Sequence, residues 1–316
     1  MSLKISLFLI LLFCAVASVP QYLPPWEPTP DHHQVPIWPQ APPDAVKYDG
    51  PEYSQKVDRK DELVAGKPWL SDERVSIPTM TVYAPKGKNT GVAAVVFPGG
   101  GYQILAIDLE GTEVCDWLTS RGITCVLLKY RVPGSSKFPK SGAYPQASQA
   151  LDDAQRTISL TRQHANEWHI DPRRIGVIGF SAGGHLVAAT SVHFEKRVYK
   201  RIDAVDDVSC RPDFAIAIYP GHLAADENGF TLQRDIKDHL SKNTPPTFIL
   251  QNEDDEVDGV KQALSYYAGL KKAGVPVEMH LFAQGGHAFG LRQTKLPATK
   301  WPELVDQWLV TIGMLR

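Results

Sequence analysis

Five continuous apolar runs constrain this chain more than any other feature. They are Val92-Ala-Ala-Val-Val-Phe97, Ile123-Thr-Cys-Val-Leu-Leu-Lys-Tyr130, Ile175-Gly-Val-Ile178, Phe214-Ala-Ile-Ala-Ile-Tyr219 and Thr247-Phe-Ile-Leu250. Short β-branched runs without polar alternation are strands of a sheet buried on both faces. Helical patterns lie between them. Residues 111–120 predict one helix. Leu151, Ala154, Ile158, Ala165 and Trp168 predict a long amphipathic one, and Val260, Ala263, Tyr267 and Leu270 another, closed by Gly274. An early strand at Thr81-Val-Tyr83, an alternating strand at Val277-Glu-Met-His-Leu-Phe282 and a last helix carrying Trp301, Leu304, Val305, Trp308 and Leu309 complete the pattern. Strands alternating with helices imply an α/β fold, a mostly parallel central sheet with helices on both faces. Such sheets bind ligands at the carboxyl ends of their strands.

The 316 residues, 43% of them hydrophobic, suit one large domain, expected over residues 46–316. A net charge of -2 gives no electrostatic reason to expect nucleic acid or an acidic membrane as partner. Lys4, an apolar run over residues 5–16 and Ala15-Val-Ala17 read as a secretory signal peptide, residues 1–17. The run is too short to span a bilayer, so the mature protein is expected to be secreted or periplasmic, without stable membrane insertion. Residues 18–45 are proline-rich and read as an arm or linker that packs along the body through Trp26 and Trp38. His32 and His33 within it lack further ligands, and no metal is expected there. Cys14 would leave with the signal peptide. The remaining Cys115, Cys125 and Cys210 form neither a disulfide framework nor a zinc pattern. Cys115 and Cys125 read as small core residues, and an oxidising compartment would allow one disulfide.

The chemistry gathers where the runs end. Gly179-Phe-Ser-Ala-Gly183 follows one strand and opens a helix, as a strained, exposed serine on a sharp turn requires. Ser181 needs a base, and His287, flanked by glycines just past the last strand, is the candidate. The base needs a carboxylate to fix its tautomer. Glu253-Asp-Asp-Glu256 leaves the end of the strand at residues 248–250. Asp255 is the choice, with Val257 anchoring the loop, and Asp254 is the alternative. Glu253, Glu256 and Asp258 read as solvated charge or a weak calcium site. Pro98-Gly-Gly-Gly-Tyr102 follows another strand. Gly100 and Gly101, with the Ala182 N–H at the helix start, are the candidate oxyanion donors.

At these residues the chain resembles the α/β-hydrolases, and within them the carbohydrate-esterase branch of acetyl-xylan esterase-like and bifunctional feruloyl esterase-like proteins. The resemblance covers about residue 75 to the C-terminus. It rests on Pro98-Gly-Gly-Gly-Tyr102, Glu110-Gly111, Tyr130-Arg131, Asp171-Pro-Arg-Arg-Ile175, Gly179-Phe-Ser-Ala-Gly-Gly-His-Leu186, Asp254-Asp-Glu-Val257 and Gly285-Gly-His287. Pro98 stands where lipase-like relatives carry histidine, and the proline that often follows the acid is missing. The resemblance implies hydrolysis of short acyl esters, acetyl above all and feruloyl among the alternatives, on a small-molecule or polysaccharide ester such as acetylated xylan. It implies no metal or organic cofactor. Insertions over residues 132–146 and 222–245 leave little room for a lipase lid. The first, with Phe138 and Tyr144, is expected to border the acyl pocket. A prolyl-oligopeptidase-type peptidase shares the triad and its order but usually needs a propeller domain, for which this chain has no room. A catalytically silent binding protein on the same fold is the third reading.

Overall fold

The computed structural model describes residues 22–135, 137–138, 141–225 and 230–316, so the expected signal peptide lies outside the described residues. The chain opens with β1 (Gln34–Pro36), β2 (Tyr53–Val57), β3 (Trp69–Glu73) and β4 (Thr79–Tyr83). Strands and helices then alternate: β5 (Ala93–Phe97), β6 (Ile104–Ala106), α1 (Glu113–Ser120), β7 (Thr124–Lys129), α2 (Gln149–Gln163), β8 (Ile175–Phe180) and α3 (Ala182–Val192). Next come β9 (Ala215–Ile218), α4 (Arg234–His239), β10 (Thr247–Asn252), α5 (Lys261–Lys272), β11 (Val277–Phe282) and α6 (Trp301–Thr311).

Eight strands form the main sheet in the order β1-β4-β7-β5-β8-β9-β10-β11. From β7 to β11 every pairing is parallel, while β4 runs antiparallel to β7 and β1 to β4. The five apolar runs supply β5, β7, β8, β9 and β10 at its centre. Their alternation splits the interior into two cores. Ala93, Val95 and Phe97 of β5 pack with α2, α3 and α5 on one face. Val92, Ala94 and Val96 pack with α1 and α6 on the other. The chain is an α/β-hydrolase fold, covered on both faces as the apolar runs require.

Three local readings change. α2 stops at Gln163, so Ala165 and Trp168 lie beyond it despite their helical spacing. There the chain reverses to enter β8: the Ile170 N–H donates to the Ala165 carbonyl at 2.7 Å, and His169 takes a φ of 54°. The helix expected over residues 111–120 begins as a π-helical turn, Asp108–Thr112, with the Thr112 N–H donating to Ile107 at 3.0 Å. A second, three-stranded sheet, β2-β3-β6, was not anticipated. Its middle strand ends in buried Asp72 and Glu73, which accept hydrogen bonds from Ser54 and Tyr53, so no apolar alternation marks it.

The proline-rich segment contributes β1 to the main sheet. Ile37 and Trp38 are buried, and the indole N–H of Trp38 donates to Asp153 at 2.8 Å. Arg131 holds the same carboxylate and donates to the Pro43 carbonyl, tying this segment to α2. His32 packs on Tyr83, with ring centroids 4.3 Å apart, and His33 is exposed. Cys115 of α1 and Cys125 of β7 are joined by a disulfide, and Cys210 is free and buried. Among the described residues, no helix is long and apolar enough to cross a membrane.

Candidate active site

Ser181 sits between β8 and α3 with φ 53° and ψ -119°, a conformation that costs an L-residue free energy and throws its side chain outward. Two glycines permit the turn. A Cβ at Gly179 would strike the Gly183 carbonyl, and one at Gly183 would strike the Phe97 carbonyl. α3 is buried along its whole length, so the turn rests on an immobile base.

The structure brings three of the candidate residues into one chain of contacts. His287 Nε2 lies 2.9 Å from Ser181 Oγ, and His287 Nδ1 lies 2.7 Å from Asp255 Oδ2. Asp255 is buried and accepts the N–H groups of Val257 and Asp258 on its other oxygen, at 2.9 and 2.8 Å. The Val257 contact is through its backbone, since its side chain is 71% exposed. Asp254 does a different job: its Oδ1 accepts the N–H groups of Gly285 and Gly286, at 2.9 and 2.8 Å, fastening the His287 loop. Burial pulls the His287 imidazole down, but the hydrogen bond to Asp255 and the charges of Asp255, Asp258 and Glu110 outweigh it and hold it above its ordinary value.

The glycine loop after β5 borders the same cleft. Gly100 and Gly101 adopt φ of 129° and 63°, and among the described residues neither N–H is hydrogen bonded. The Gly99 N–H, in contrast, donates to Glu110 Oε2 at 2.8 Å. Glu110 is fully buried in the π-helical turn, and its other oxygen accepts the Tyr219 O–H at 2.8 Å. The Tyr219 oxygen accepts the Gly290 N–H at 3.1 Å. One buried carboxylate therefore links the glycine loop to the loop that carries His287. Burial pushes Glu110 upward, against its hydrogen bonds and the His287 charge. Tyr130 adds a brace, donating its O–H to the Pro98 carbonyl at 2.6 Å. None of these braces was assigned a task from sequence; a π-helical turn beside the glycine loop was the missing signal.

Asp258 corrects the reading of the acidic run. Its side chain is only 14% exposed, and Oδ2 lies 3.2 Å from Ser181 Oγ and 3.7 Å from His287 Nε2. Burial raises its pKa, while the His287 and His222 charges lower it. The expected wall of the site also changes. The cleft over Ser181, about 650 Å³, is lined by residues 61–64, Trp69, Gln103, Leu109 and Val257, not by Phe138 or Tyr144. Phe138 packs on Tyr48, and Tyr144 lines a neighbouring cavity of about 420 Å³. His222 borders both spaces.

Fold and sheet topology define the class as that of the α/β-hydrolases. The chain belongs to the prolyl oligopeptidase family, whose model matches residues 111–312. It is 27% identical over 259 residues to an acetylxylan esterase of Xylanibacter ruminicola, a match covering 74% of this chain and 47% of that protein. The chain thus spans about half the length of that relative. Among solved structures it is similar to an acetyl ester-xyloside bifunctional hydrolase from Caldicellulosiruptor lactoaceticus. That match has 30% identity and a TM-score of 0.70, and covers 93% of this chain and 99% of that one. Esterase 2 of Thermogutta terrifontis, phosphorylated by paraoxon, matches at 26% identity and a TM-score of 0.63, covering 76% and 90%.

Proposed function

We propose that the chain is a serine esterase that removes acetyl and other short acyl groups from carbohydrate such as acetylated xylan. The observation that carries the reading is the relay from Ser181 Oγ to His287 Nε2, 2.9 Å, and from His287 Nδ1 to Asp255 Oδ2, 2.7 Å, at the floor of an open cleft. Ser181 attacks the ester carbonyl as His287 takes its proton, and Asp255 holds the imidazole and its charge. The N–H groups of Gly100, Gly101 and Ala182 receive the developing oxyanion. Collapse expels the alcohol, protonated by His287. Water then cleaves the acyl-enzyme through the same base.

The carbohydrate assignment draws on the acetylxylan esterase and acetyl ester-xyloside hydrolase matches. Export is supported by the Cys115–Cys125 disulfide, a bond that persists in oxidising compartments. The family match keeps a peptidase reading in view. A panel of p-nitrophenyl acetate, butyrate and octanoate, acetylated xylan and a peptide amide separates them. The proposal expects the highest kcat/KM on acetate and acetyl release from xylan. Activity that rises with acyl length, or is confined to the amide, refutes it.

A further inference from the structure

Asp258 has no part in the relay just described, yet it touches the reacting atoms. Its Oδ2, Ser181 Oγ and His287 Nε2 form a triangle with edges of 3.2, 2.9 and 3.7 Å. The carboxylate sits in a slot made for it. A Cβ at Gly221 would collide with both of its oxygens, and the Gly221 N–H is held by the Ser181 carbonyl at 3.2 Å. Its own N–H is bonded to Asp255, and its carbonyl accepts the Gln251 side chain. The backbone at Asp258 is therefore fixed to the same carboxylate that orients His287, and the side chain faces the cleft.

A charge beside a nucleophile whose product is a carboxylate is costly unless it serves the alcohol side of the reaction. The leaving oxygen must lie within hydrogen-bond reach of His287 Nε2 to collect its proton. An acceptor only 3.7 Å from that nitrogen borders the same volume. With the leaving oxygen at His287 Nε2, a hydroxyl on the carbon next to the ester-bearing one is within reach of that space. Building on the ester-hydrolase reading, we propose that Asp258 is a specificity-determining residue that accepts a hydrogen bond from the hydroxyl neighbouring the scissile ester. The site thereby selects esters of vicinal diols, the arrangement that partly acylated sugars present. A second consequence follows from the triangle. In the resting site Asp258 and His287 share the Ser181 hydroxyl as acceptors. Once a substrate hydroxyl occupies Asp258, the serine proton is left to His287, and the diol ester is attacked faster as well as bound better.

The test compares kcat/KM for 2-hydroxyethyl acetate and 2-methoxyethyl acetate, which differ in one donor proton. A site that hydrogen bonds a substrate hydroxyl rejects the analogue lacking it, and for a partly open cleft the preference expected in the wild type is about tenfold or more. The ratio should fall partway in Asp258→Asn, which keeps an uncharged acceptor, and to near one in Asp258→Ala. Because the ratio is internal to each protein, a reduced folded fraction cancels from it. A wild-type ratio near one, or a ratio that survives Asp258→Ala, overturns the assignment while hydrolysis of p-nitrophenyl acetate stands. No hydrolysis of any of the three esters by the wild type overturns the esterase reading with it.

Discussion

Replacing Glu110 by glutamine isolates the brace between the two proposed catalytic loops. The carboxylate is fully buried and accepts two donors, Gly99 N–H at 2.8 Å and Tyr219 O–H at 2.8 Å. Glutamine keeps the shape but offers one acceptor oxygen. If its NH₂ turns to Gly99, two N–H groups oppose each other. If it turns to Tyr219, the hydroxyl proton loses its acceptor, while its oxygen is already engaged by the Gly290 N–H at 3.1 Å. Either way one buried donor goes unpaired, a loss of about 1–3 kcal/mol. Relief of the buried charge offsets part of the lost charge-assisted bond, so a net destabilisation of about 2 kcal/mol is expected. For a domain of this size that lowers Tm by roughly 3 °C. The glycine loop also loses a tether, and its N–H groups act mainly on the transition state. A fall in kcat of about tenfold or more, with KM little changed, is therefore expected on p-nitrophenyl acetate. Thermal unfolding and steady-state kinetics measure both. A variant that loses Tm but keeps kcat would refute the claim that Glu110 sets the glycine loop, and one unchanged in both would refute the brace altogether.

Three further outcomes follow. His287 works as a neutral base and its pKa is held above the ordinary 6.5, so kcat/KM should rise with pH through an acidic limb lying above that value. Asp255→Asn should move the limb down and cut kcat about 10⁴-fold; a wild-type limb below 6.5 contradicts the electrostatics. Gly183→Ala forces a methyl onto the Phe97 carbonyl and should destabilise the fold by about 2 kcal/mol or more, with loss of esterase activity. Full activity and an unchanged Tm would show that the turn can relax. Replacing both Cys115 and Cys125, which lie 10 residues apart, by serine should cost about 2.8 kcal/mol of unfolding free energy on the chain-entropy account. Chemical denaturation of the double variant reads this directly, and no change in midpoint would contradict it.

The centre of the fold was legible because β5, β7, β8, β9 and β10 are buried on both faces and leave a continuous apolar imprint. The positions of Ser181, His287 and Asp255 were legible for a related reason: each follows a strand whose end is marked by glycine or by an acidic turn. What escaped the reading is held together by polar contacts. β3 buries Asp72 and Glu73 where periodicity expects apolar residues. Asp258 stands in an acidic run that looks solvated, and only the path of the loop turns it inward to Ser181. Glu110 lies in a π-helical turn whose spacing matches neither a helix nor a strand. The end of α2 was overshot because Ala165 and Trp168 keep the helical interval after the hydrogen-bond ladder has stopped.

The central claim is that Ser181 is a nucleophile activated by His287, and covalent capture tests it most directly. A fluorophosphonate probe, followed by mass spectrometry of the digested protein, should place one adduct on Ser181 of the wild type and none on Ser181→Ala. His287→Ala should slow labelling by several orders of magnitude while leaving the serine in place. A wild-type protein that stays unlabelled, or carries its adduct on another residue, would contradict the account.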